Sequence, residues 1–174
     1  NYLGEAVASA GDINGDGYSD IITSAYGNNL STGKVYLYDY FMKNEIISDV
    51  IMTGDTANSS FGRSVSSAGD VNGDGYDDVI VGASGYLKAY IFFGGAYMDN
   101  IADVTMTGES TSYNFGLSVS SAGDVNGDGY ADVVVGAYGY LSNKGRAYLY
   151  LGGASMNNIA DVIMTGVATG DEFG

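Results

Sequence analysis

The sequence predicts an all-β protein made of three consecutive copies of one structural unit. The chain has 174 residues, of which 28 are glycine and none is proline. No stretch shows a sustained helical period flanked by caps. A Phe-Gly or Leu-Gly dipeptide recurs with its glycine at positions 4, 62, 116 and 174, at spacings of 58, 54 and 58 residues. A fixed period of this length indicates a repeat architecture.

The second and third copies are the most alike. They match at 38 of 54 aligned positions when Ser142–Gly145 is set aside as an insertion. Both contain the segment SVSSAGDVNGDGY, followed by DVIVGA or DVVVGA, and the first copy has the weaker version EAVASAGDINGDGYSDIITSA. We therefore divide a single domain, residues 1–174, into units at about residues 3–60, 61–114 and 115–172.

Each copy carries four strand-like stretches, illustrated here by the third copy. Small residues fill Gly116–Ala122, which suits a crowded place where strands converge. Asp132–Ala137 contains three consecutive valines, as expected of a strand buried on both faces. Arg146–Gly152 alternates aromatic and aliphatic residues, and Asp161–Thr165 has the pattern of a half-exposed strand. The sequence thus predicts four short strands per copy.

Four short strands in every period of about 50 residues predict the blades of a β-propeller. A calcium β-roll would need a nonapeptide period, and an immunoglobulin-like sandwich would not explain the repeat. Propellers usually close with four to eight blades, so three blades leave two apolar sheet faces open. We expect the ring to be completed by missing blades of a longer protein or by a second chain, and favour a homodimer that forms a six-bladed ring.

The composition excludes several classes of function. Six Lys and Arg against 21 Asp and Glu give a net charge of −15, so the chain lacks the basic patch that nucleic acids require. The longest apolar runs are about five residues, too short for a membrane-spanning helix, and we expect no membrane insertion. The absence of His and Cys excludes Ser-His-Asp triads, cysteine nucleophiles, disulfides and zinc sites of the His/Cys type. The acid excess points to cations or basic partners.

An acidic loop lies between the first and second strands of each copy. It reads D-x-N-G-D-G-x-x-D at residues 12–20, 70–78 and 124–132. Positions 1, 3, 5 and 9 carry side-chain oxygens, and position 7 is a tyrosine that offers a backbone carbonyl. Calcium takes six to eight oxygen ligands, so we expect about three calcium ions per chain. The predicted ligands are Asp12, Asn14, Asp16, Tyr18 and Asp20; Asp70, Asn72, Asp74, Tyr76 and Asp78; and Asp124, Asn126, Asp128, Tyr130 and Asp132.

Other interpretations of these loops explain less. Asn-Gly and Asp-Gly are favoured hairpin pairs, so the central residues alone are compatible with a bare turn. A bare turn does not account for acids at positions 1 and 9 in all three copies, where unpaired carboxylates repel one another. Magnesium demands stricter octahedral geometry and is less favoured. The pattern resembles the first nine positions of an EF-hand loop but lacks the glutamate at position 12, where the third copy has Val135.

Together, the Phe-Gly start, the acidic loop and the following VGA resemble the FG-GAP repeat of the integrin α-subunit β-propeller, over essentially the whole chain. The resemblance implies a seven-bladed fold with calcium loops on one face and protein ligands mainly on the opposite face. It also implies the fifteen calcium ligands named above. The chain departs from the family pattern at Ser84 and Tyr138, which replace the proline of GAP. In the first copy, Tyr40 and Phe41 replace a glycine pair found in the other two.

These observations favour a non-enzymatic calcium-binding module of an extracellular or cell-surface protein that mediates protein–protein interaction or adhesion. In this interpretation calcium staples the loop between the first two strands of each blade. The alternative is a carbohydrate-binding, lectin-like propeller, in which exposed tyrosines stack on sugars. An enzyme is disfavoured because Asp103 and Asp161, outside the loops, recur with the repeat and indicate a structural role. The tyrosines considered for sugar stacking are Tyr26, Tyr86, Tyr97, Tyr138 and Tyr140.

Overall fold

The computed structural model describes residues 3–39, 50–109 and 114–174, apart from the side chains of residues 28 and 29, and Tyr40 and Phe41 lie outside these ranges. Within them, twelve strands form three four-stranded sheets, which we call blades one, two and three. Blade one contains β1 (Val7–Gly11), β2 (Asp20–Ala25), β3 (Lys34–Tyr38) and β4 (Val50–Thr53). Blade two contains β5 (Phe61–Gly69), β6 (Asp78–Ala83), β7 (Lys88–Phe92) and β8 (Val104–Thr107). Blade three contains β9 (Ser118–Gly123), β10 (Asp132–Ala137), β11 (Arg146–Tyr150) and β12 (Val162–Thr165).

The strands of every blade follow one another in chain order, and each is antiparallel to its neighbour. The prediction of an all-β protein with four antiparallel strands per blade is therefore confirmed. Strand ends in blade three differ by one or two residues from those predicted. Gly116 has a φ of +81°, outside the extended region, so β9 begins two residues later. Asp161 lies before β12 because its N–H and carboxylate close a turn with Leu149 and Leu151.

Each first strand ends in a β-bulge that leads into the acidic loop. The pairing register with the second strand shifts at this point in all three sheets. The glycines there adopt the left-handed backbone region: φ is +79° at Gly11, +75° at Gly69 and +71° at Gly123. A bulge with glycine in this conformation turns the chain sharply, which separates the loop from the ladder of the sheet.

The hydrophobic core lies between the blades, in two clusters. One is formed by blades one and two and includes Ile22, Leu37 and Met52 of blade one. The other is formed by blades two and three and includes Ile80 and Val133. The first strands of adjacent blades, β1 with β5 and β5 with β9, lie against each other. Their small side chains therefore occupy the place where the blades converge.

Strand β6 is buried on both faces, as the apolar run predicts. Val79 and Val81 belong to the core shared with blade one, whereas Ile80 belongs to the core shared with blade three. The phenylalanines that open blades two and three complete these cores: Phe61 and Phe115 are 2% and 1% exposed. Because both cores depend on contacts across blades, the central blade is held by its two neighbours.

The outer faces of blades one and three remain open within the described residues. Met164 is 38% exposed, whereas its equivalent in blade two, Met106, is fully buried against blade three. Val162 is 45% exposed and its equivalent Val104 only 6%. At the other end, Leu3 is 61% exposed. The two end blades therefore present faces of the kind that blade two buries.

Three one-turn helical segments connect the second and third strands, and the sequence did not predict them. Each has only three or four residues, too few for a helical period to be visible. No helix in the described part of the chain is long and apolar enough to span a membrane. The segments are α1 (Asn28–Ser31), a 3-10 turn (Ser84–Tyr86) and α2 (Tyr140–Asn143).

Truncating a residue of the inter-blade core will test this arrangement. We expect Ile80→Ala to lower the free energy of unfolding by about 2–5 kcal/mol, because Ile80 is fully buried and leaves a cavity. The matched control is Ile101→Ala in the same blade, where the side chain is 69% exposed; its cost should stay below about 0.5 kcal/mol. Denaturant unfolding measures both, and equal costs would contradict the assigned core.

Candidate metal centre

The three acidic loops lie at the same end of the blades. Each first strand runs toward its loop and each second strand returns from it, so all three loops connect the corresponding strand ends. Neighbouring loops touch: the N–H of Asp77 donates to the carbonyl of Asp12 at 3.0 Å, and that of Ala131 donates to the carbonyl of Asp70 at 2.9 Å. The loops therefore form one continuous row rather than three isolated turns.

The carboxylate at position 1 organises each turn. In loop two, Asp70 Oδ1 accepts the N–H groups of Gly73 (2.6 Å) and Asp74 (3.1 Å), and Oδ2 accepts that of Gly75 (2.9 Å). Loops one and three repeat this pattern. In loop three these donors, that of Gly129 first, lower the pKa of Asp124. The Asp124 carboxylate is thus stabilised in its ionised form.

The side chains at positions 3 and 5 meet within the same turn. Asn72 Oδ1 accepts the N–H of Asp74 at 2.9 Å, and Asp74 Oδ1 accepts the N–H of Tyr76 at 3.0 Å. The Asn72 amide also donates to Asp74 Oδ2 at 2.9 Å. Loop three makes all three of these hydrogen bonds. Loop one makes the two in which a backbone N–H is the donor. The carbonyl of the tyrosine at position 7 is a predicted ligand. The hydrogen bond from the N–H of this tyrosine to the position 5 aspartate therefore fixes the backbone at this residue.

The aspartate at position 9 lies beneath the loop, at the start of the second strand. Asp20, Asp78 and Asp132 are at most 1% exposed. Their Oδ2 atoms accept the N–H of the residue at position 2, at 3.1, 2.8 and 2.8 Å. In blades two and three, Oδ1 accepts a second N–H at 2.8 Å from the connection between the third and fourth strands. This residue therefore joins three parts of its blade.

Burial makes two of these carboxylates, those of Asp78 and Asp20, costly to ionise. It raises the pKa of Asp78 to about 7, with the charges of Asp74 and Asp70 adding to the effect and the two N–H donors opposing it. Burial likewise raises the pKa of Asp20 to about 6. Asp20 Oδ1 is buried and has no hydrogen-bond partner among the described residues. A nearby cation would favour the ionised form of both groups.

The structure brings positions 1, 3 and 5 together in one tight turn and places position 9 below it. Among the described residues, no three acidic side chains stand close enough to hold a metal ion as arranged. The donor set nevertheless fits a hard divalent cation, because it consists of carboxylate, amide and carbonyl oxygens. The carboxylate oxygens that accept a single N–H group, such as Oδ2 at position 1 and both oxygens of Asp78 at position 9, keep a second lone pair. The oxygen-only chemistry of this donor set, repeated in three loops, is the observation that favours a cation.

Positive charge is absent from this end of the described structure. The lysines and arginines of the described ranges lie at the opposite end, around the starts of the first and third strands. None of these five side chains can therefore offset the repulsion among the carboxylates of the acidic loops. These residues are Lys34, Arg63, Lys88, Lys144 and Arg146.

Sequence reasoning missed several residues that support the loops. Asp77, at position 8 of loop two, accepts the N–H of Asp12 at 2.8 Å and so ties loop one to loop two. Gly94 and Gly152 supply the second N–H to the buried aspartates. The sequence signal for Gly94 and Gly152 was a glycine pair that recurs at the same point of the second and third copies. Nothing in the sequence pattern distinguished Asp77 from an ordinary solvated acid.

The acids outside the loops have structural partners. Asp103 Oδ2 accepts the N–H of Phe93 at 2.7 Å, and Asp161 Oδ2 accepts that of Leu151 at 2.8 Å. Both aspartates also donate their N–H back to the third strand. They close equivalent turns in two blades, which agrees with the structural role expected from their recurrence.

The tyrosines considered for sugar binding do not form a repeated surface. Tyr140 is buried, and the Arg146 guanidinium lies 3.5 Å from its ring centre. Tyr97 is 99% exposed, but its equivalent in blade three is Ser155. Of the others, Tyr86 is about half exposed, Tyr138 is partly buried, and Tyr26 stacks with Arg63.

Four-stranded blades that share cores face to face, each with an acidic loop at the same end, define the β-propeller class of repeat proteins. Comparison with known families agrees: the FG-GAP repeat matches residues 3–38, 61–97 and 115–150. The chain belongs to the FG-GAP repeat family, and the resemblance drawn from its motifs is confirmed.

The similar curated proteins include integrin α subunits. The chain is 32% identical to integrin alpha-5 of Xenopus laevis over 86% of its length and 37% identical to integrin alpha-6 of Gallus gallus over 72%. It is 29% identical to integrin alpha-6 of Homo sapiens over 97% of its length. It spans only 16%, 12% and 15% of these three proteins.

Two substitutions in loop two will separate the structural carboxylate from the exposed one. We expect Asp78→Ala to lower the free energy of unfolding of the calcium-free protein by about 2–5 kcal/mol, because the N–H groups of Val71 and Gly94 lose their acceptor. Asp74→Asn keeps an oxygen for the Tyr76 N–H and should change the melting temperature by less than about 2 °C. Thermal unfolding in a chelator measures both, and a large loss in Asp74→Asn would refute this division.

Proposed function

We propose that the chain is a non-enzymatic, calcium-stabilised β-propeller module of an extracellular or cell-surface protein, acting in adhesion or protein–protein interaction. The observation that carries the proposal is the threefold recurrence of one oxygen-rich turn with a buried aspartate beneath it. Similarity to integrin α subunits supports the adhesion role and the compartment. Partner contacts are proposed for the end opposite the acidic loops, as the family resemblance implies.

Calcium would act here by joining parts of the blade that the backbone leaves apart. When bound, it supplies a divalent charge that offsets the repulsion among the carboxylates of one loop. The chain's own residues do the rest: the position 1 carboxylate orients the turn, and the position 9 aspartate anchors the turn to the sheet. Extracellular calcium sites work at dissociation constants of about 10⁻⁴–10⁻³ M, so modest affinity suffices outside cells.

A calcium titration of the chelator-treated protein tests the proposal. We expect about three calcium ions per chain and a rise in melting temperature of about 15 °C or more at 100-fold excess over the dissociation constant, since each site then adds about 2.7 kcal/mol. Isothermal calorimetry and thermal unfolding provide the two readouts.

The matched control is the triple variant Asp16→Asn, Asp74→Asn and Asp128→Asn. Each asparagine keeps the oxygen that accepts a tyrosine N–H but removes one charge from its loop. The variant should fold and should lose most of the calcium-induced rise in melting temperature. A melting temperature of the unaltered chain that does not depend on calcium, with no heat of binding, would refute the calcium role.

For the open faces of blades one and three, we propose a second copy of the same chain as the occupant. The support is continuity with the cores described above: Val162 and Met164 stand where Val104 and Met106 pack against the next blade. At the other end, Leu3 and Ile21, 61% and 46% exposed, are available to fill the partner's open face.

The last two residues already lie where the next blade would begin. Ser118 Oγ donates to the carbonyl of Gly174 at 2.8 Å, just as Ser64 Oγ donates to that of Gly116 at 3.1 Å. Phe173 is nevertheless 41% exposed, whereas its equivalents Phe61 and Phe115 are 2% and 1% exposed. In a head-to-tail dimer, Leu3-Gly4 of the second copy would compete with Phe173-Gly174 for this position, so one dipeptide must leave.

The mass of the protein in solution tests whether a second copy of the chain covers these open faces. We expect sedimentation to give about 36 kDa, twice the 18.0 kDa of the chain, and Met164→Glu to reduce it to the monomer because a charge would be buried in the interface. Ile101→Glu, at an exposed position away from both faces, should leave the mass unchanged. A folded monomer at all concentrations would refute the second copy and leave further blades of a longer polypeptide as the occupant.

A further inference from the structure

In loops two and three, the tyrosine at position 7 packs on the acidic loop of the preceding blade. The Tyr76 ring covers Gly15 of loop one so closely that a Cβ there would come within 2.7 Å of its Cε1 atom. The Tyr130 ring covers Gly73 of loop two even more closely. Gly127 of loop three has nothing near it in the described structure. The contact is therefore a repeated inter-blade feature that the last loop lacks.

Backbone hydrogen bonds strengthen the same junctions. Beside the bonds from Asp77 to Asp12 and from Ala131 to Asp70, Gly95 N–H donates to the Ile13 carbonyl at 2.7 Å, and Gly153 N–H donates to that of Val71 at 2.8 Å. As a result, the position 2 side chains of loops one and two are almost fully buried, at 3% and 0% exposure. The equivalent Val125 of loop three is 52% exposed.

Two kinds of predicted ligand therefore take part in contacts between sites. Tyr76 offers its backbone carbonyl to loop two while its ring lies on loop one. Asp70 offers its carboxylate to loop two while its backbone carbonyl accepts the Ala131 N–H of loop three. Restricting either residue at its own site also restricts the neighbouring loop, which is the physical requirement for coupled binding.

We propose that Tyr76 and Tyr130 are positioning residues for the calcium loop of the preceding blade, and that they couple calcium binding between neighbouring loops. The inference rests on the proposed calcium function. It assigns unequal properties to three loops of nearly identical sequence: loops one and two are each supported by the next blade, and loop three stands alone within the described structure.

Site-resolved NMR can measure each loop in the intact chain. The amides of Gly17, Gly75 and Gly129 donate to the position 1 carboxylates at 2.9 Å and thus report calcium separately. We expect Tyr76→Leu to raise the calcium midpoint at Gly17 by about fivefold or more and to leave Gly129 within about twofold. Leucine keeps the backbone carbonyl and removes the ring.

Two matched variants complete the test. Tyr130→Leu should raise the midpoint at Gly75 in the same way, and the midpoint at Gly17, which is linked to loop two through Tyr76, should rise by less than that at Gly75. Tyr18→Leu, in the loop with no preceding blade in the described structure, should leave both Gly75 and Gly129 within about twofold. A general loss of stability would shift all three reporters and would not follow this order.

A further variant keeps the test decisive if Tyr76→Leu does not fold. Asp74→Asn leaves the ring in place and weakens the second site, and it too should raise the midpoint at Gly17. Normal calcium binding with an unmoved Gly17 midpoint in these variants overturns the coupling alone. Calcium-independent glycine amides in the unaltered chain overturn the calcium function, and the coupling with it.

Discussion

Face-to-face packing of the blades is the constraint on which the rest of the structure depends. A four-stranded sheet with apolar residues on both faces has no core of its own, so each blade is stable only against a neighbour. The small residues of the first strands follow from this packing, because the blades converge there. So do the buried phenylalanines that open blades two and three. Ile80 and Val79, adjacent in one strand, serve different cores for the same reason.

The packing of the blades sets the position of the acidic loops, and one buried carboxylate in each loop sets its chemistry. Asp78 is desolvated by the sheet around it, and its carboxylate accepts the N–H groups of Val71 and Gly94. Two neutral donors offset part of the desolvation cost, and a cation above the loop would offset more. A residue that anchors the turn to the sheet can therefore also make the turn responsive to calcium.

The repeats in the sequence predict the blades well, because local patterns of residue size and polarity mark the strands of each blade. The run of valines in Asp132–Ala137 and the small residues near Gly116 each indicate a strand and its burial without knowledge of the neighbouring strands. The strand ends, the one-turn helices and the role of Asp77 were not predictable in the same way. They depend on contacts with other blades: Asp77 acquires its partner, Asp12, from 65 residues away.

The same reasoning shows why identical motifs need not be equivalent sites. Loops two and three share the letters DVNGDGY, and their internal hydrogen bonds agree to within a few tenths of an ångström. They differ in what lies over them: Val71 is covered by the following blade and Val125 is half exposed. Affinity in such a row is a property of the loop together with its neighbour. A blade packed on the open face of blade three would therefore cover the third acidic loop as well as extend the core.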